Sequence, residues 1–293
     1  MSRCKVEEYN HDTFFRYVLS SDEKKVMSDI AYDVINKCHS DTESRKLVES
    51  KRDEYQHVFD TVKNFFDEHP GSYFLRLSTL SPKDAYDYLN RPAEEESTED
   101  SESNASSEDE FNETSKEIAE RINVLKVCSA DQTFQVLLHS YRVFCDLESD
   151  CAGDNAILLM KWREIQHDTE TRCYVKDRKL LAISQYYIDC SDSYGKIESM
   201  HTFYRDVVSF VNELVKSKEK VPYDDVVIDL CMCKEEGDKN DSKLEMIEMN
   251  PFDRNTDSGM FAWDEIEALA SSLSNVTPSF RFSRNGKTIN YTS

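Results

Sequence analysis

Two stretches of the chain decide its fold: Asp-Val-Val-Ile-Asp-Leu-Cys-Met-Cys at residues 225–233, and Lys-Leu-Glu-Met-Ile-Glu-Met-Asn at residues 243–250. Both are apolar runs of strand length, and the polar stretch between them predicts an antiparallel hairpin. Each strand carries an acid where an apolar residue is typical, Asp229 in the first and Glu248 in the second. A carboxylate inside an apolar strand is costly unless a partner neutralises it, so these two acids indicate a binding site.

The hairpin predicts a magnesium site if its register puts Asp229 and Glu248 on one face. Both carboxylates would then converge with Asn250, just beyond the second strand. Mg²⁺ takes one or two carboxylates and completes its shell from water and phosphate oxygens, so these three hard oxygen ligands suit it. The alternative is that both acids point to solvent, because antiparallel strands often alternate inward and outward residues.

Basic side chains interrupt or follow other predicted strands: Arg76, Lys161, Arg172 and Lys176. Arginine offers bidentate contacts to phosphate, and lysine offers a mobile point charge. Cations and carboxylates set into apolar strands together indicate a charged cleft that a metal–polyphosphate ligand would neutralise. Alternatively, each cation is a long side chain at a sheet edge whose charged end reaches water.

Periodicity and turn residues predict the other elements. We expect strands over 73–78, 156–160, 169–175 and 179–185, and helices over 45–68, 116–127, 132–147 and 199–215. Ser81 and Pro82 predict a helix start whose free amides would favour phosphate. Two antiparallel hairpins separated by a helix, after an α/β N-terminal half, predict an α+β protein.

Composition narrows the classes of function. The 293 residues include 36 basic and 58 acidic ones, a net charge of −22 that disfavours binding to nucleic-acid grooves. Residues 93–114 are acidic and Ser-rich, which predicts a disordered insertion; a tether for a basic partner or a phosphorylated loop are alternatives. No apolar run approaches the length of a membrane helix and no signal peptide is evident, so we expect a cytoplasmic protein without membrane contact.

The nine cysteines are scattered, and this fits free thiols in a reducing compartment. Cys231 and Cys233 share one face of their strand, so two thiolates could meet a metal ion; without a second Cys or His pair at zinc spacing, small buried apolar residues are favoured. The chain contains neither a GxxxxGK[ST] nor a GxGxxG motif, which excludes a P-loop or a Rossmann fingerprint.

Five segments in order resemble the successive motifs of the cell division cycle protein 123 family, a divergent branch of ATP-grasp proteins. They are residues 74–85, 157–162, 170–176 with 181–187, 226–229, and 247–252 continuing through 256–258 to Trp263. The resemblance implies an ATP-grasp-like fold of two lobes with antiparallel sheets and flanking helices, and ATP in the cleft between them.

The resemblance also implies roles for individual residues. Arg76 would face the phosphates with Ser78 and Lys83 nearby, and Arg172 would contact phosphate. Asp229, Glu248 and Asn250 would hold Mg²⁺, although many relatives have Asp at the position of Glu248. The segment Met160-Lys161-Trp162 would lie along the adenine, where Met160 replaces a frequent Arg.

The expected organisation is an N-terminal lobe (1–92), the acidic insertion (93–114), a C-terminal lobe with the metal site (115–273) and a tail (274–293). By resemblance, the function is that of a Mg-ATP-binding assembly chaperone of translation initiation factor 2, acting through the gamma subunit. One alternative is an ATP-grasp ligase, in which Arg172 and Lys176 stabilise the charge that develops during phosphoryl or adenylyl transfer. A nucleotide-free interaction protein is the other, and the Asp229, Glu248 and Asn250 set argues against it.

Overall fold

A computed structural model of the chain describes residues 13–90, 115–149, 154–187, 197–234, 242–272, 277–284 and 287–291. The described residues belong to two compact units, each with its own sheet. The N-terminal unit contains residues 13–90 and the described residues from 119 to 162; the C-terminal unit contains 115–118 and those from 163 to 291.

The N-terminal unit is a four-stranded antiparallel sheet packed against helices. Its strands are β1 (Thr13–Val18), β2 (Tyr73–Leu77), β3 (Lys126–Val127) and β4 (Ala156–Lys161), in the order β1-β4-β2-β3. Its helices are α1 (Ser21–Lys37), α2 (Asp41–Ser50), α3 (Gln56–Glu68), α4 (Ala85–Leu89), α6 (Ala130–Leu138) and α7 (Tyr141–Glu148); α5 (Ser115–Asn123) precedes β3. One core joins the apolar stripes of α1, α3 and α6 to one face of the sheet.

Two long helices that we predicted are each broken in the structure. The helix expected over 45–68 is α2, a 3₁₀ turn (Arg52–Tyr55) and α3, and the turn carries the buried Tyr55, whose hydroxyl donates to the Val48 carbonyl at 3.2 Å. The helix expected over 132–147 is α6 and α7, because Ser140 caps α7 by accepting a hydrogen bond from Val143 N at 3.1 Å. Helical periodicity continues across both breaks, so the pattern alone did not show them.

The helix start expected at Ser81 and Pro82 is wrong. Helix α4 begins at Ala85 and has five residues. The Asp84 carboxylate just before it instead accepts hydrogen bonds from Ser140 Oγ at 2.6 Å and Arg142 N at 3.0 Å, at the start of α7. This short helix therefore offers no dipole-based phosphate site.

The C-terminal unit is a six-stranded sheet with helices on both faces. Its strands are β5 (Glu164–Lys176), β6 (Lys179–Gln185), β7 (Val226–Lys234), β8 (Ser242–Asn250), β9 (Ser279–Arg284) and β10 (Lys287–Tyr291), in the order β10-β9-β6-β5-β7-β8. Only the β6–β9 pair is parallel among these described strands. Helix α8 (Ile197–Leu214) packs on one face, and α9 (Trp263–Ser271) packs on the other.

The predicted α+β class with antiparallel sheets and flanking helices is confirmed. The unit boundaries differ from the expected ones, because β4 pairs with β1 and β2 and so carries residues up to 162 into the N-terminal unit. The expected tail contains β9 and β10, and the proposed insertion at 93–114 lies outside the described residues. Within the described part of the chain, no helix combines the length and apolarity needed to cross a bilayer.

Arg178 ties the β5–β6 turn to the end of α8. Asp177 and Arg178 both have positive φ, at 48° and 59°, as a type I′ hairpin turn requires. The Arg178 guanidinium donates to the carbonyls of Val215 at 2.7 Å, Val221 at 2.9 Å and Tyr223 at 3.2 Å. One side chain thus supplies donors to three carbonyls that follow the helix.

We predict that Arg178→Ala lowers the free energy of unfolding by about 2 kcal/mol, because these carbonyls lose a charged donor. Urea denaturation measures the change. The control is Arg254→Ala, whose exposed pairs with Asp264 and Glu267 should contribute at most about 1 kcal/mol. Equal losses in the two variants would contradict the anchoring role.

Candidate functional site

The register of the β7–β8 hairpin brings the candidate metal ligands to one face. Asp229 lies opposite Glu248, and Val227 lies opposite Asn250. Directly opposed residues share a face, and so do residues two apart on a strand, so Asp229, Glu248 and Asn250 project to the same side. The sequence hypothesis depended on this register, and the structure has it.

Asp229 is buried, 2% exposed, and is held by an arginine of the neighbouring strand. Arg172 on β5 lies directly opposite it, with Nε 2.8 Å from Oδ1 and Nη2 2.8 Å from Oδ2. This is a bidentate pair. Its two parallel charge-assisted hydrogen bonds hold the guanidinium and the carboxylate in one plane. The carboxylate therefore has one defined orientation in the sheet.

The pair extends into a small network. Asn250 Nδ2 donates to Asp229 Oδ2 at 3.0 Å. The amide oxygen of Asn250 is a separate acceptor and takes no part in this hydrogen bond. Arg172 Nη1 donates to the Asp257 carbonyl at 2.7 Å, and the guanidinium lies 4.8 Å from the Tyr186 ring centroid. The network thus joins β5, β7, the end of β8 and the segment that follows β8.

Two further carboxylates, those of Glu248 and Glu170, act on Asp229. The pKa of Asp229 is raised to about 6, mainly by burial and also by the charges of Glu248 and Glu170, against the opposing hydrogen bonds and charge of Arg172. Although burial lowers the pKa of Arg172, Asp229 raises it overall, so the guanidinium stays charged. A bound cation near these carboxylates would favour their ionised forms.

The donor chemistry of this face fits a hard divalent cation. The carboxylate of Glu248 and the amide oxygen of Asn250 are oxygen ligands of the kind that Mg²⁺ takes. Three of the roughly four lone-pair directions of Asp229 already accept hydrogen bonds, so Asp229 has limited capacity for direct coordination. No cluster of three His, Cys, Asp or Glu side chains able to cage a metal occurs among the described residues. Such a site would accordingly need phosphate or water oxygens to complete it.

Lys176 lies on the face of β5 that carries Arg172, because the two residues are four apart along the strand. Its ammonium pairs with the Asp225 carboxylate and lies 5.4 Å from the Phe252 ring centroid. This predicted phosphate ligand is thus neutralised locally, at a position beyond the Arg172–Asp229 pair.

The predicted residues of the N-terminal unit divide between the two faces of its sheet. Arg76 opposes Leu158 and Phe74 opposes Met160, so Arg76 and Met160 share a face. Lys161 opposes the buried Tyr73 and belongs to the other face, where its side chain is exposed at the strand end. The sheet therefore brings Arg76 and Met160 together and separates Lys161 from them.

The remaining predicted residues of this unit, Ser78, Lys83 and Trp162, each take part in hydrogen bonds with the backbone. Ser78 Oγ donates to the Asp154 carbonyl at 2.7 Å and accepts from Ala156 N at 3.0 Å, so it anchors the start of β4. Lys83 lies in the turn before α4, where its N–H donates to the Ser81 carbonyl at 2.9 Å. Trp162 N donates to the Ser72 carbonyl at 3.1 Å, and the Lys126 ammonium lies 5.1 Å from its ring centroid.

Sequence reasoning missed the contribution of the segment after β8. Gly259 has φ +56°, and Met260 N donates to Ser184 Oγ at 2.9 Å. Ser184 is the cross-strand neighbour of Arg172, so this turn lies beside the Arg172–Asp229 pair. The sequence signal was an isolated glycine after Asp257 and Ser258, a combination typical of a turn.

The chain is similar to a described protein family and to named proteins of other organisms. The family model described as D123 matches residues 125–293. A protein of Schizosaccharomyces pombe named "Translation initiation factor eIF2 assembly protein" is 27% identical over 176 residues, which cover 54% of this chain and 49% of that protein. The protein of that name from Xenopus tropicalis is 28% identical over 158 residues, covering 47% of this chain and 42% of the relative. The matched regions thus span half or less of these relatives.

A solved structure has the same fold. The structure of Cdc123 from Schizosaccharomyces pombe superposes with a TM-score of 0.59 at 19% identity, covering 94% of this chain and 91% of that one. A C-terminally truncated form gives a TM-score of 0.53 at 21% identity and covers 78% of each chain. These identities support likeness of fold.

We predict that Gly259→Ala lowers the free energy of unfolding by about 2 kcal/mol, because alanine is disfavoured at positive φ. The added Cβ would also lie 2.6 Å from Ser184 Oγ and displace the acceptor of Met260 N. Thermal denaturation measures the loss.

The matched control is Gly71→Ala, where the added Cβ comes no closer than 3.7 Å to any neighbouring atom. We expect a change within about 0.5 kcal/mol there. If both variants melt at the same temperature, the turn at Gly259 is not constrained as described.

Proposed function

This chain belongs to the D123 family, and on that premise we propose that it binds Mg-ATP and promotes the assembly of translation initiation factor eIF2. The observation that carries the nucleotide part is the buried Arg172–Asp229 pair with Glu248 opposite it and Asn250 beside it. The partner part rests on the name that the similar proteins of Schizosaccharomyces pombe and Xenopus tropicalis carry.

The chain's own residues would divide the work of holding the metal. Glu248 and the amide oxygen of Asn250 would coordinate Mg²⁺, and Arg172 would keep Asp229 oriented toward them. When bound, the ion supplies positive charge that neutralises both the carboxylates and the phosphate oxygens. That charge would also oppose the effect of Glu248 and Glu170 on the pKa of Asp229.

Within the N-terminal unit, we propose nucleotide contacts for Arg76, for Lys83 and for the segment Met160-Lys161-Trp162. Arg76 and Met160 share one sheet face, which supports a common ligand for them. Lys161 belongs to the other face, so its part would be limited to backbone groups. For Ser78 we propose a structural role, because its hydroxyl makes the hydrogen bonds that hold the start of β4.

For the partner, we propose direct binding to the gamma subunit of eIF2, followed by joining of the alpha subunit. The surface of this chain is strongly acidic on average, at a net charge of −22, which favours a protein partner over a nucleic acid. ATP binding would stabilise the folded form that the partner binds.

The first test is a thermal-shift titration with Mg-ATP. We expect the wild-type protein to gain about 2.7 kcal/mol at a nucleotide concentration about 100 times Kd, and to lose this gain when EDTA removes Mg²⁺. Asp229→Asn and Glu248→Gln should each abolish most of the Mg-dependent gain, because each removes one negative charge from the metal face.

Glu267→Gln is the matched control, since Glu267 lies on α9 and its exposed carboxylate pairs with Arg254. It should retain the full Mg-ATP response. Undiminished nucleotide affinity in Asp229→Asn and Glu248→Gln would refute the metal assignment, and no response of the wild-type protein would refute nucleotide binding itself.

The second test is a pull-down with purified eIF2 subunits. We expect the immobilised chain to retain the gamma subunit, and to increase the yield of alpha–gamma complex when Mg-ATP is present. Failure to retain the gamma subunit would contradict the assembly role. ATP consumption without any eIF2 subunit would favour the ligase alternative instead.

A further inference from the structure

Cys231 and Cys233 form a close pair of thiols on β7. Their sulfur atoms lie 3.2 Å apart, and the residues are 1% and 5% exposed. Since alternate residues of a strand share a face, both side chains project to the side that carries Asp229. The expectation that these cysteines are buried is confirmed, but their contact is closer than packing of separate apolar residues requires.

The surroundings of the pair distinguish its two sulfurs. The hydrogen bond between them, in which either sulfur can be the donor, lowers the pKa of Cys233 and raises that of Cys231, so Cys233 is the more acidic of the two. Arg163 favours the thiolate, whereas burial and the charge of Glu170 oppose it. A thiolate that accepts from a neighbouring thiol is the arrangement in which one sulfur reacts and the other resolves the product.

A partly exposed ion pair lies beside the two cysteines. Cys231 lies opposite Glu245, whose carboxylate pairs with the Arg163 guanidinium. The side chains of Arg163 and Glu245 are 38% and 28% exposed, so the polar rim beside the buried pair is open to solvent.

We propose that Cys231 and Cys233 are a redox modification site, at which a hydroperoxide oxidises the two thiols to a reversible disulfide within β7. The Cys233 thiolate attacks one peroxide oxygen, the O–O bond breaks, and the sulfur becomes a sulfenic acid while the other oxygen leaves as water or alcohol after protonation. Cys231 sulfur then attacks the sulfenic sulfur, the S–O bond breaks, and water leaves with the Cys231 proton. Both sulfurs are oxidised, and the peroxide is reduced by two electrons.

The strand geometry makes this disulfide readily reducible. Residues two apart on a strand have Cα atoms about 6.4–6.8 Å apart, at the upper end of the range that a disulfide spans. A bond at that limit is strained, and strained disulfides have more oxidising potentials and act as labile, regulatory ones. The alternative of a metal held by this pair lacks support, because no group of three potential ligands occurs in the part of the chain that the structure describes.

Oxidation would also act on the neighbouring metal face, a consequence that rests on the proposed function. Cys231 is two residues from Asp229 on the same strand. Drawing the two sulfurs into a covalent bond shortens β7 locally and displaces the strand beside the Arg172–Asp229 pair. We expect oxidised protein to bind Mg-ATP more weakly than reduced protein.

Peptide mapping of the full chain tests the modification without reference to nucleotide. Reduced protein is treated with hydrogen peroxide, alkylated and digested with trypsin, which releases Val221–Lys234 with both cysteines and no others. We expect this peptide to lose the mass of two hydrogens, to resist alkylation, and to regain both thiols after treatment with a dithiol reductant. Oxidation of Met232 in the same peptide adds oxygen and survives that reductant, so the two products are distinguishable.

Cys128 provides the internal comparison, because it is exposed and is the sole cysteine in its tryptic peptide, residues 127–142. The proposal is overturned if Cys128 oxidises while Cys231 and Cys233 both remain open to alkylation. It is also overturned if Cys233 passes to the sulfinic acid without a disulfide.

Two variants separate the roles of the sulfurs. Cys231→Ser should accumulate sulfenic acid on Cys233 that dimedone traps, whereas Cys128→Ser should form the disulfide as the wild type does. If Cys231→Ser does not fold, the wild-type map still decides the question. A Mg-ATP thermal shift on oxidised protein is the separate readout: an unchanged shift overturns the effect on nucleotide, and a wild type that fails to bind Mg-ATP even when reduced contradicts the proposed function alone.

Discussion

The buried ion pair between Arg172 and Asp229 is the constraint on which the C-terminal unit depends. A buried carboxylate without a partner costs several kcal/mol, so any register of β5 and β7 that separates the two residues is strongly disfavoured. The bidentate geometry fixes β5 against β7, and the pairing of β7 with β8 then sets Glu248 and Asn250. One interaction therefore positions both the strands and the acidic face.

Strand alternation gives the six-stranded sheet two different faces. The side covered by α8 is apolar, with Cys173, Ile183, Ile228 and Leu230 in one core. The opposite side carries Arg172, Asp229 and the cysteine pair in alternate positions on the same two strands. Because of this arrangement, a chemical change at Cys231 and Cys233 acts on the backbone that also presents Asp229.

The polar face places ionisable groups close together. Arg172 pairs with Asp229, and the charges of Glu248 and Glu170 act on the same carboxylate. Groups whose pKa values are shifted in this way cluster at functional sites. The turn at Gly259 lies beside this face. The positive φ of Gly259 lets Met260 N reach Ser184, which is the cross-strand neighbour of Arg172.

The sequence alone determined the β7–β8 hairpin, the two acids set in its strands, the β5–β6 hairpin and the family. These features depend on local alternation and turn residues, which a short window of sequence contains. Tertiary structure decided that Arg172 pairs with Asp229, 57 residues away, that Ser140 divides a predicted helix, and that residues 279–284 join β6 in parallel. Such contacts depend on the register between distant strands and on how helices meet a shared core, and no local periodicity carries that information.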